Sequence, residues 1–135
     1  MENSDFEGQI FYLKTKADYY RYACEYAQGE IQSKVSDSAL EAYSQALQLA
    51  ETNLSVTDPI RLKLVNNFSM FHYEMLSNQQ KGFSMAKQAF DDVINDLETL
   101  DDANYKDVAG ILQTIRENIT LWSAEMEDGG EGESG

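Results

Sequence analysis

Five stretches of this chain set apolar residues four or three positions apart, and the whole chain holds a single proline. Spacing of four and three keeps side chains on one face of a helix, whereas a strand needs a period of two. The first stripe is Phe6, Ile10, Leu13, Ala17, Tyr20, Cys24 and Ala27. The second is Leu40, Tyr43, Leu47 and Ala50, and the third Ile60, Leu64, Phe68, Phe71 and Met75. Phe83, Ala86, Phe90, Val93 and Leu97 make the fourth; Tyr105, Val108, Leu112, Ile115, Ile119 and Trp122 make the fifth. No strand-length run alternates strictly, so a sheet is not expected.

End signals bound these helices. The first is predicted over about 5–28, with Gly29 placed to cap its C-terminus. Ser38 and Glu41 have capping-box spacing, which predicts a second helix over 38–53. Asp58 followed by Pro59 is a strong start for the third, an N-cap and then proline at the first helical position. The fourth and fifth are predicted over 81–99 and 104–126. Links of about four to nine residues make neighbouring helices antiparallel. The expectation is one all-α domain of five antiparallel helices over 1–126. Residues 127–135 continue the run "EMEDGGEGESG", which is rich in glycine and acid and predicts an acidic, flexible tail.

Charge narrows the partners. Twenty-four acidic residues oppose ten basic ones, a formal net charge of −14. Nucleic acid and anionic membrane surfaces repel such a chain, so neither is an expected partner. The only cysteine, Cys24, permits no intramolecular disulfide and fits a reducing, cytoplasmic setting. No apolar run reaches membrane-spanning length and no signal peptide is visible. Sequons at Asn53, Asn67 and Asn118 are not expected to carry glycans without one. One histidine and one cysteine do not make a zinc site, no glycine-rich phosphate loop occurs, and nothing orients a Cys–His pair. Neither a metal, a cofactor nor enzymatic activity is expected.

Several helices carry a second ordered face. Lys14, Asp18, Arg21 and Tyr22 share one side of the first; Lys63, Asn67, Met70 and Glu74 line the third. Ile111, Thr114, Asn118 and Leu121 line the fifth, bordered by Trp122. If these faces converge, they form a groove with a cationic end and two carboxamides. Arginine offers a planar fork of donors that matches phosphate, and tyrosine adds a hydroxyl. An asparagine amide can both donate to and accept from an extended peptide backbone. An ordinary surface ion pair of Arg21 with Asp18 or Glu25 also explains the first face. The tyrosines also fit simple packing between helices, and His72 the edge of the core.

The segments "FYLKTKADYYRY", "DPIRLKLVNNFSMFHYEML", "AKQAFDDVINDLETL" and "YKDVAGILQTIRENITLW" together resemble the 14-3-3 family, in order, from about Phe11 to Trp122. The resemblance implies an antiparallel helical fold of about nine helices that acts as a dimeric adaptor. It implies binding of phosphoserine or phosphothreonine segments of partner proteins. Carried over by motif, Lys14, Arg21 and Tyr22 correspond to phosphate-pocket residues. Asn67 and Asn118 correspond to clamps on the ligand backbone, and Glu74 and Trp122 to further groove residues; Met70, Ile111 and Leu121 complete the expected groove.

The chain departs from the family pattern at two points. The family has four more helices before the point where this chain starts, and these supply further phosphate-pocket cations and the dimer interface. Asn66, Gly110 and Thr114 stand where the family usually has leucines on the groove's apolar wall. The expected function is a weakened phosphosegment adaptor, without the family-type homodimer, that a full-length 14-3-3 chain could complete. A phosphate-independent helical scaffold, or a non-functional truncated product, is the alternative.

Overall fold

The computed structural model describes residues 6–134, with the side chains of 99, 103 and 128–134 outside that description. The described elements are helices and turns. Helix α1 covers Phe6–Tyr26, α2 Gly29–Asn53, α3 Pro59–Met70, α4 Gln79–Asn95 and α5 Asp102–Ser134. A π-turn over Phe71–Met75 continues α3, and a 3-10 turn over Leu97–Thr99 follows α4. The five-helix expectation holds.

The start of α3 follows the sequence signal: the Asp58 carboxylate accepts from the Ile60 amide at 2.8 Å, and Pro59 opens the helix. The start of α2 does not. It begins at Gly29, so Ser38 lies inside the helix and the predicted nine-residue link is itself helical. Val35 packs against the first core while Ile31 stays exposed, and no proline in 29–37 prevents backbone pairing. The reversal between α1 and α2 needs only two residues because Gly29 takes a positive φ of 61°, cheap for glycine alone.

The last helix is longer than the 104–126 expected for it: the backbone of α5 is helical over Asp102–Ser134. Adding residues to a formed helix is far easier than starting one, and no proline intervenes.

Two cores share α3 as their common wall. Ile10, Ala17 and Cys24 of α1 meet Ala39, Tyr43, Ala46 and Ala50 of α2 and Leu64, Phe68 and Phe71. On the other side, Leu62 and Tyr73 pack with Ala86 and Val93 of α4 and Val108, Leu112, Ile115 and Trp122 of α5. The π-turn serves both. Its wider coil, closed by the Leu76 amide on the Phe71 carbonyl at 3.1 Å, buries Phe71, His72 and Tyr73 in succession. Phe71 turns to the first core and Tyr73 to the second. Gly82 lets α4 approach closely: a Cβ there would stand 2.6 Å from the Ser69 carbonyl oxygen.

Candidate functional site

With α3 as floor, α1 and α5 rise on either side of an open groove. A cavity of about 390 Å³ there is lined by Lys14 of α1, by Lys63, Asn66 and Asn67 of α3, and by Asp107, Gly110, Ile111 and Thr114 of α5. The three second faces read from sequence therefore meet on one side of the molecule.

Asp18 organises the α1 end. Its carboxylate accepts from Lys14 Nζ at 2.9 Å and from Asn67 Nδ2, 3.2 Å from each oxygen. The Tyr43 hydroxyl donates to the same carboxylate, and Arg21 Nη2 lies 3.9 Å from it. Arg21 Nε donates to the Tyr43 hydroxyl at 3.0 Å. Burial opposes the charge on Arg21, but Tyr43 and Asp18 outweigh it, so its pKa sits above the ordinary value. Burial first, and then Asp18, push the Tyr43 hydroxyl well above the usual tyrosine range and keep it a neutral donor. The guanidinium also lies 4.7 Å from the centre of the Tyr22 ring, and that ring is exposed. The result is a set of cations held by one carboxylate at the end of the groove.

At the α5 wall, Asn118 Nδ2 donates to Asn66 Oδ1 at 2.9 Å, and Asn66 Nδ2 has only the Met70 sulfur at 3.8 Å. Ile111 is half-buried at the cavity, while Glu74 and Leu121 are exposed. Trp122 is buried, its ring stacked on Tyr73 with centroids 4.5 Å apart. The Tyr73 hydroxyl donates to Glu125 at 2.9 Å. Trp122 thus belongs to the second core.

Sequence reasoning took Tyr43 for a core residue only and did not single out Asp107. The signal for Asp107 was present: it lies four residues before Ile111, on the same face of α5. Nothing local marks the Tyr43 hydroxyl, since its partners lie on another helix. Among the described residues, no group of His, Cys, Asp or Glu could hold a metal ion, and no helix is long and apolar enough to cross a membrane.

The site is a polar groove in a helical bundle, walled by alternate helices and cationic at one end. Comparison with known proteins is more specific. The family model for 14-3-3 proteins matches residues 1–123. Protein BMH1 of Saccharomyces cerevisiae is 45% identical over 127 residues, covering 94% of this chain and 48% of the relative. 14-3-3 protein 8 of Solanum lycopersicum is 45% identical over 125 residues, with 93% and 48% covered. 14-3-3 protein zeta of Bombyx mori is 44% identical over 125 residues, with 93% and 51% covered. The chain belongs to the 14-3-3 family, a family of adaptors rather than enzymes, and spans about half the length of the curated relatives it matches.

Proposed function

We propose that this chain is an adaptor module that binds phosphoserine or phosphothreonine segments of partner proteins in the groove between α1, α3 and α5. The observation that carries the reading is the convergence of Lys14, Asn67 and Ile111 on one cavity, beside an Arg21 oriented by Asp18 and Tyr43. In this reading the phosphate meets Arg21, Tyr22 and Lys14 and competes with Asp18 for their donors. Asn67 and Asn118 clamp the extended backbone, Met70, Ile111 and Leu121 contact its side chains, and Glu74 and Trp122 border it. Phosphate brings nearly two negative charges, and each charge-assisted hydrogen bond contributes about 1.5–3 kcal/mol. Few cations in a chain of net charge −14 make the binding weak, salt-sensitive and open to strengthening by a fuller 14-3-3 chain.

One observation favours a phosphate-independent scaffold instead: Asp18 already satisfies Lys14 and Asn67 internally. Titrating a phosphoserine peptide and its unphosphorylated twin into the purified chain decides between them. The adaptor reading expects a preference for the phosphorylated peptide that falls with salt and is lost in Arg21→Ala. Equal binding of the twins, or a preference untouched by Arg21→Ala, supports the scaffold.

A further inference from the structure

We infer that Asn66, with Gly110 and Thr114, makes the α5 side of this groove a site for a carboxamide side chain, glutamine above all, on the bound segment. The inference rests on the phosphosegment reading above and adds to it which segments are selected.

The wall is built of hydrogen-bonding groups with capacity to spare. Asn66 is nine-tenths buried, yet its Nδ2 has only a thioether at 3.8 Å, a weak acceptor. Its Oδ1 is taken by Asn118. Thr114 Oγ1 donates to the Gly110 carbonyl at 3.2 Å and keeps its lone pairs for an incoming donor. Lys63 and Asp107 line the same cavity, and neither is paired with a residue of the described chain. Residues that carry donors (Asn66, Lys63) and acceptors (Thr114, Asp107) therefore line one cavity.

A carboxamide is the side chain that answers both kinds, with two donors and an accepting oxygen on one neutral group. A basic side chain there meets Lys63 and Lys14 as well as Asp107, and an acidic one meets Asp107 as well as Lys63, whereas a neutral carboxamide faces no like charge. An apolar side chain covers the Asn66 amide and leaves its N–H without a partner, the costly outcome for a buried donor. Gly110 adds reach: a Cβ there meets nothing within 4 Å, so the wall is open opposite Asn66. That depth suits glutamine better than serine.

The test uses the 135-residue chain and phosphoserine peptides that differ only by glutamine or leucine at each of the three positions after the phosphoserine. Each has an unphosphorylated twin, and binding is followed by calorimetry. At one position glutamine should bind about fivefold tighter or more. Asn66→Leu and Gly110→Leu should each abolish or reverse that preference. Gly110→Leu guards against misfolding, because its side chain enters open space on a helix that leucine favours. Equal affinities at all three positions, or a leucine preference, overturn the inference and leave the phosphate reading intact. A glutamine preference kept while phosphorylated and unphosphorylated twins bind with equal affinity sinks the phosphate reading and upholds the wall. If no peptide binds, both fall together.

Discussion

Arg21 Nε donates to the hydroxyl of Tyr43 at 3.0 Å, tying the cationic face of α1 to the core of α2 across 22 positions of sequence. The same hydroxyl donates to Asp18, so a single oxygen orients both the guanidinium and the carboxylate that holds Lys14. Tyr43→Phe removes that oxygen and keeps the ring, which stacks on Phe68 with centroids 5.0 Å apart. Hydrogen bonds to charged groups contribute about 1.5–3 kcal/mol, and the variant should lose stability on that scale. Urea unfolding measures it; a midpoint equal to that of the parent chain shows that the hydroxyl does not tie the two helices together.

Two glycines should respond oppositely to alanine. At Gly82 the new Cβ would also stand 2.9 Å from the Tyr73 Cβ and 3.0 Å from its amide nitrogen, so α4 must retreat from α3. Overpacking of this kind costs about 1–3 kcal/mol, more than the roughly 1 kcal/mol that alanine gains in a helix. Gly110 has open space, so there alanine should stabilise by about 1 kcal/mol. Thermal melts of both variants check the contrast, and a stabilised Gly82→Ala contradicts it.

His72 should make the fold sensitive to mild acid. Burial, and then the charge of Lys81, lower its pKa from the ordinary 6.5, and its Nδ1 is buried without a partner. Between the folded and unfolded pKa values the unfolded chain binds more protons, so stability falls as pH drops below about 6.5. The loss levels off below the folded pKa. His72→Phe should flatten this part of the profile. A parent and variant that lose stability in parallel between pH 7 and 5 would remove His72 as the cause.

The outer face of α1 carries large exposed side chains. Phe11 is 62% exposed, Tyr12 64%, Tyr19 70% and Tyr26 85%. Such a run of apolar and aromatic surface on one helix invites association. Sedimentation should show concentration-dependent self-association, reduced by Tyr12→Lys combined with Tyr19→Lys, and a hydrophobic dye should bind the parent chain. A monomer at all concentrations without dye binding runs against this.

Much of the fold could be read in advance where a signal is local. Asp58 and Pro59 start α3 because a carboxylate cap and a missing amide act within three residues. The same logic misplaced the start of α2: a capping-box pair is equally comfortable inside a helix, and the turn at Gly29 left the preceding residues free to coil. The π-turn was illegible, because its wider coil follows from a demand that Phe71 and Tyr73 reach opposite cores.

The candidate groove divides in the same way. Lys14, Arg21, Asn67, Ile111 and Asn118 could be named from helical faces and family resemblance, since each lies at a fixed offset along its own helix. The periodicity of the chain thus dictated helices, their apolar stripes and the existence of second polar faces, because all of these depend on neighbours within about one turn. Only the packed bundle decided that α3 lies between two cores, that Tyr43 holds Arg21, and that Asn118 is engaged by Asn66. Those pairings span 22 and 52 positions of sequence. They exist only where the crossing of packed helices brings side chains within hydrogen-bond reach, and that crossing is set by the whole core at once.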